Sequence, residues 1–521
     1  MISISDIGVN LLTFLCIFSF FTICFYRPLR IFFDVETTIK LLIPFSISML
    51  IIIVTPLYFF EYSSNPIIFV VFVVIIINFV CLNFNTLPST RLKFTFYDLL
   101  SLVVIFKVSF FFNLTNIFYG YSDLFTHAKY LKDFTNLQAL GYELSWYPPG
   151  WYLLNTLYVP LLDDLFIFRF LGPSIGFFCL LAIYLMIRNQ NALMSLSFFL
   201  IILIPIPGFF VKMLIFSWPF QLVLLLSISV IFLIKYILNG NHKFFIILFI
   251  YFSALGVINY YFAYIIYVSV FITSIFVLPK LTFVFRKIYF LNLCLSLLFS
   301  IILIFALFTK KWNYNSKKFT DSIQGFVNLD EDSFSSHKEI PKSSTSQVDQ
   351  VSEILYDILI PDVNSLYLIP IVFFLILFYR KYSKLFDVYT TFLYFYCSFL
   401  CCIYLFKIIE IDSFIGRSYS FIIVPFLLLL QTMALKYTSN FKILVIPKFI
   451  VFPLYIMILL VPTYIKLLPS DYMYIDYLLS QYQSPQAIRE CSDLLKAKDF
   501  FPPPEIHRIY RNNFCGLEIA N

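Results

Sequence analysis

The chain has 521 residues, 61% of them hydrophobic and only 12% charged, with 68 Phe, a net charge of +7 and a mean hydropathy of +0.90. A water-soluble domain needs more polar surface than this, so the composition specifies a polytopic membrane protein. The basic residues are dispersed rather than gathered into a block that could track a phosphate backbone, which sets nucleic-acid binding aside.

Apolar runs of roughly 17–22 residues, the length that a hydrocarbon core requires, lie near 8–25, 41–60, 66–84, 98–118, 166–187, 192–209, 214–234, 244–258, 260–278, 288–308, 364–379, 388–408, 419–435 and 443–464. They predict an all-α bundle of about 13–14 transmembrane helices, with 244–258 and 260–278 the weakest pair. The first run leads into Arg27 and Arg30 without a small-residue cleavage site, which predicts a retained span and not a removed signal peptide.

Lys and Arg then set the orientation. Arg27, Arg30 and Lys40 fall in the first connection, Arg91 and Lys93 in the third, Arg188 in the fifth, and Lys235 with Lys243 in the seventh. Lys280, Arg286 and Lys287 continue the rule, then Arg380, Lys381 and Lys384, then Lys436 and Lys442. Every second connection is basic, which predicts that those connections are cytoplasmic. The N-terminus, the 119–165 loop, the 309–363 loop, Glu410 to Ser418 and the tail after 464 then lie outside.

The expected organisation is a transmembrane region over 1–464 and a small outer region over 465–521. The 309–363 loop is rich in Ser, Lys and Asp and reads as a mobile connection. Most cysteines lie inside apolar spans, where Cys behaves as a small hydrophobe. Cys491 and Cys515 sit in the outer tail, where a disulfide can persist; a bonded pair and two buried thiols are both open. No tandem or inverted repeat is visible, which argues weakly against a two-repeat transporter.

Polar chemistry concentrates between Gly120 and Trp151, which contains Asp123, His127, Lys129, Asp133, Glu143 and Trp146-Tyr147-Pro148-Pro149-Gly150-Trp151. Asp123 and His127 share one face if 124–134 is helical, and Leu124, Ala128, Leu131 and Phe134 would give that helix an apolar side lying along the membrane boundary. A carboxylate there can take a proton from a sugar hydroxyl. It can equally cap the helix. The prolines stiffen the second half, Gly150 lets it turn, and the aromatics offer faces suited to sugar rings or to an interfacial belt.

Gly120-Tyr121-Ser122-Asp123, Tyr130-Leu131 and Tyr147-Pro148-Pro149-Gly150-Trp151, placed before another apolar span, resemble the first outer loop of the actinobacterial galactan arabinofuranosyltransferases. More broadly, the chain resembles the GT-C superfamily of polyprenyl-phosphosugar-dependent glycosyltransferases. The close resemblance covers residues 120–151, and the many-span plan covers most of the chain. It implies a GT-C-like bundle with amphipathic helices on its outer face, set in a bacterial inner membrane with the active site facing the periplasm. It implies Asp123 as the catalytic base; Glu143, Tyr147 and Trp151 are candidates for substrate contact, and His127 either assists that base or binds substrate. Many members carry two adjacent acidic residues in this loop, whereas Asp123 has no acidic neighbour. The resemblance does not extend to the large carbohydrate-binding C-terminal domains of the related arabinan polymerases, so processive polymer synthesis is not expected.

A lipid-phosphate donor calls for a cation near the outer boundary, and Arg417, Lys212 and Arg169 are the candidates, Arg417 first because a guanidinium holds phosphate through two bonds. Each can also be a snorkelling residue among headgroups. Asp163-Asp164 lines the same region or marks the boundary. Lys107 falls inside a span, where a charge is costly and requires a partner. No His, Cys, Asp or Glu cluster has ligand spacing, so neither a metal nor another cofactor is expected.

The expected function is inverting transfer of a sugar, D-arabinofuranose by the resemblance, from a polyprenyl phosphate to a glycan or protein acceptor. A GT-C mannosyl, hexosyl or aminoarabinosyl transferase shares these features, and a flippase, transporter or polymerase of lipid-linked glycans is the rival of another class.

Overall fold

The structure is a computed structural model that describes residues 4–59, 66–84, 94–111, 131, 149–162, 170–189, 192–203, 219–240, 244–303, 305, 368–405, 412–436, 451–453, 455, 456 and 458. These residues are helical throughout apart from turns, with no strand among them. The cause is the solvent: a backbone in hydrocarbon must satisfy its N–H and C=O groups internally, and a helix does so within one segment.

In chain order the helices are α1 (Ile4–Cys24), α2 (Tyr26–Arg30), α3 (Val35–Phe59), α4 (Pro66–Cys81), α5 (Phe96–Phe106), α6 (Gly150–Asn155) and α7 (Leu171–Ile187). There follow α8 (Ala192–Leu203), α9 (Phe220–Leu238), α10 (Phe244–Ile258), α11 (Tyr260–Val277), α12 (Phe283–Leu303), α13 (Leu368–Tyr382), α14 (Val388–Leu405) and α15 (Asp412–Lys436). Five helices among the described residues are long and apolar enough to cross a membrane: Gly8–Arg30, Val35–Leu57, Phe220–Leu238, Phe262–Lys280 and Phe283–Leu303. Shorter apolar helices accompany them, so the chain is an all-α membrane protein.

The weak pair 244–258 and 260–278 resolves into two separate helices. Asn259 is extended between them, and its side chain accepts the Phe262 N–H, which starts α11 afresh. Other bounds move. The span near 41–60 begins at Val35, because Asp34 accepts the Thr37 N–H at 2.7 Å and starts the helix before the apolar run does. The span near 98–118 is α-helical only to Phe106 and continues as a π-helix over Lys107–Phe111.

The helix ends sort by charge. Arg27, after α1, donates to the Cys81 and Leu82 carbonyls at the end of α4. Thr37 at the start of α3 meets Tyr236 at the end of α9, and the Phe33 and Phe244 rings stack at 4.3 Å. Asp98 at the start of α5 pairs with Arg188 at the end of α7, and Gln431 near the end of α15 donates to the Ile187 carbonyl. Lys280, after α11, donates to the Phe386 carbonyl and the Thr391 hydroxyl at the start of α14. The helix ends that carry the basic connections therefore lie together at one end of the bundle.

At the opposite end the helices meet through an amide and aromatic rings. The Gln221 side chain donates to the Gly172 carbonyl at 2.8 Å, which joins the starts of α9 and α7. Phe220, Phe262 and Phe421 meet there with centroids 4.6–5.7 Å apart, bringing the starts of α9 and α11 against the first half of α15.

Candidate functional site

Asp123, His127, Glu143, Tyr147, Arg169, Lys212 and the Asp163-Asp164 pair lie outside the described residues, as do Cys491 and Cys515. What the structure describes is the frame around them, beginning with α6, where the Gly120 to Trp151 segment ends.

α6 is a short helix of which every residue is buried. Gly150 is its first residue and is helical, so the reason for glycine here is not a turn. A Cβ added at Gly150 would stand 2.8 Å from the Ile258 N and the Val257 carbonyl carbon, both backbone atoms at the end of α10. The glycine permits backbone-to-backbone approach of two helices, a contact that a side chain would prevent. Asn155 then donates to the Trp151 carbonyl at 2.7 Å and Thr156 to the Leu153 carbonyl at 2.7 Å, closing the end of the helix.

Trp151 has no exposed surface, and its ring stands at 88° to that of Tyr152. Its indole is a packing element of α6 and is not open at a surface in this conformation. Tyr158, four residues beyond Asn155's near neighbour Leu154, packs on Phe14 and Phe18 of α1 at 5.1 and 6.2 Å. The segment that carries the polar island is thus anchored at its C-terminal end by apolar contacts to α1 and a glycine contact to α10.

Arg417 lies in α15 and not in a loop between Glu410 and Ser418, because the helix already begins at Asp412. It precedes Phe421 by one turn. Lys212 precedes Phe220, and Arg169 precedes Leu171. The described residues that follow these three cations are brought together: Gln221 on Gly172, and Phe220 on Phe421 at 5.3 Å. Gly150 meets the α10 end from which Asn259 and Phe262 lead into the same aromatic cluster. All of the described flanks therefore converge at the end of the bundle away from the basic connections.

Lys107 donates to the Ile458 carbonyl, so the charge within the span ties the α5 segment to the last predicted span. It stands where α-helix gives way to π-helix, and such a bulge leaves backbone carbonyls displaced from their usual partners.

The strongest polar cluster among the described residues was not singled out by sequence. Asp98 is 2% exposed and accepts from Arg188 Nε at 2.7 Å, Arg188 Nη2 at 3.0 Å, the Tyr184 hydroxyl at 2.7 Å, and the Thr95 N–H and hydroxyl at 2.7 and 2.8 Å. The hydrogen bond to Asp98 leads the causes that hold the Arg188 guanidinium above its ordinary value, against burial, which works the other way. With both carboxylate oxygens multiply bonded, Asp98 is occupied as an acceptor and serves as a clamp between α5 and α7. The signal in sequence was Thr95-x-x-Asp98, a capping box in which Asp replaces the usual Glu.

No group of three or more His, Cys, Asp or Glu that could hold a metal occurs among the described residues. No protein-family model, no curated protein and no solved structure matches the chain.

Proposed function

We propose that the chain is a GT-C-like glycosyltransferase of about 13–14 spans that transfers a sugar, D-arabinofuranose by its sequence resemblance, from a polyprenyl phosphate to a surface glycan or protein. The observation that carries this reading is the convergence at one end of the bundle. The described flanks of the polar island and of Arg169, Lys212 and Arg417 meet there, opposite the basic connections. In this reading the basic end faces the cytoplasm of a bacterial inner membrane and the converging end faces the periplasm, where nucleotide sugars are absent and the donor must be lipid-linked.

Asp123 takes the proton of the acceptor hydroxyl. The resulting oxygen attacks the anomeric carbon, the bond from that carbon to the phosphate oxygen breaks, and the polyprenyl phosphate leaves with the electron pair, inverting the centre. Arg417, with Lys212 and Arg169, stabilises the departing phosphate. His127, Glu143 and Tyr147 contact the sugar, and Trp151, buried in α6, positions the loop that carries them. The test is transfer from a radiolabelled polyprenyl-phosphate pentose by purified protein, compared with the same preparation carrying Asp123→Asn.

A second reading, a carrier of lipid-linked sugars, is favoured by one observation. Lys107 stands at an interrupted helix inside a span, and a transporter places its functional charges at such breaks. Translocation of a labelled lipid-linked sugar across proteoliposomes, without covalent transfer, would support that reading over the enzyme.

A further inference from the structure

We infer that the groove between α1 and α4 is a binding site for an anionic phospholipid of the leaflet at the basic end, with the phosphate on Arg27 and an acyl chain along the groove. The cavity measures about 400 Å³ and is floored by Val74, 3% exposed, and walled by Phe20, Ile75 and Phe79, all largely exposed. Among the described residues that line it, Arg27 alone is charged, at the end where α1 and α4 both terminate. Asn78, also in the lining, returns its amide to the Val74 carbonyl at 2.9 Å and so is already engaged.

Arg27 is half-buried, and its placement is fixed. Nε and Nη2 donate to the Cys81 and Leu82 carbonyls at 3.3 and 3.2 Å, capping the end of α4. A guanidinium has five N–H donors, so three remain after these two bonds, enough for a forked contact to phosphate. Among the described residues no carboxylate competes. Asp34 and Glu36, in the adjoining stretch, accept from the Thr37 N–H and from Lys40 Nζ, each at 2.7 Å. An apolar channel opening to hydrocarbon and ending on a held guanidinium matches a lipid with a chain at one end and an unmasked phosphate charge at the other. A zwitterionic headgroup matches less well, because it would bring its own cation against Arg27.

Native mass spectrometry of the full-length protein, released from micelles doped with equal amounts of palmitoyl-oleoyl phosphatidylglycerol and phosphatidylcholine, tests this. We expect phosphatidylglycerol adducts to exceed phosphatidylcholine adducts by roughly fivefold, the preference one surface cation confers. Arg27→Gln should bring the ratio close to one. Ile75→Trp, at an exposed position whose ring would fill the groove, should lower retention of both lipids. Equal retention by the unaltered protein, an unchanged ratio in Arg27→Gln, or unchanged retention in Ile75→Trp would overturn the assignment.

Discussion

Asp98 and Arg188, 90 residues apart in the chain, form a bidentate ion pair at 2.7 and 3.0 Å that closes the basic end of the bundle. Breaking a buried pair strands a charge, whereas replacing both partners with apolar groups does not. Asp98→Ala should therefore destabilise the protein by about 3–5 kcal/mol, while Asp98→Leu with Arg188→Met should recover most of that loss. Thermal unfolding in detergent reads both. A double variant no more stable than Asp98→Ala would remove the clamp from the account.

Gly150 makes a prediction of opposite character, since it concerns added volume. Gly150→Ala drives a Cβ to 2.8 Å from two backbone atoms of α10, and neither can rotate away as a side chain could. The cost should be about 1–3 kcal/mol. Because α6 anchors the polar island, sugar transfer per folded molecule should fall as well. Full activity and unchanged melting of this variant would show that the α6–α10 contact does not position the loop.

The sidedness of the bundle can be read by labelling. A membrane-impermeant maleimide added to intact cells should modify Ser344→Cys, in the loop that the charge rule places outside, and should leave Lys384→Cys, at the basic end, unmodified until the membrane is opened. The label is scored as that gained over the unaltered protein, which carries cysteines of its own. The reverse pattern would invert the proposed orientation.

Lys107 separates the enzyme from the carrier. Lys107→Met keeps the length of the side chain but removes the bond to the Ile458 carbonyl, for a loss of about 1.5–3 kcal/mol, the worth of a charge-assisted hydrogen bond. In a transferase with its site at the rim away from the basic connections, folded Lys107→Met should retain transfer. In a carrier, translocation should stop while the fold survives.

Much of the fold was legible because lipid imposes it. Apolar runs of span length, and the confinement of most charges to the connections between them, follow from hydration energies that act residue by residue. What hydropathy does not carry is hydrogen bonding. It began the span at 419, after Arg417, although the Asp412–Lys436 helix already runs through that residue, and it had no means of seeing α5 pass into a π-helix at Lys107. Asp98 and Arg188 escaped because each looks like an ordinary boundary charge, and only the packing of α5 on α7 makes them partners. Gly150 carried the right residue for a different reason: a glycine that permits a turn and one that permits close approach look alike in a sequence. The polar island was visible as composition, yet the close approach of Gly150 at the start of α6 is to the end of α10, more than a hundred residues later.

We propose Asp123 as the base of a lipid-linked sugar transfer. Its most direct measurement is the rate at which purified Asp123→Asn moves labelled pentose from polyprenyl phosphate to acceptor, with donor binding measured in parallel. Donor binding should be retained and transfer should fall by roughly 10²–10⁴-fold, the usual contribution of a general base. Transfer at the unaltered rate by the folded Asn variant would contradict it.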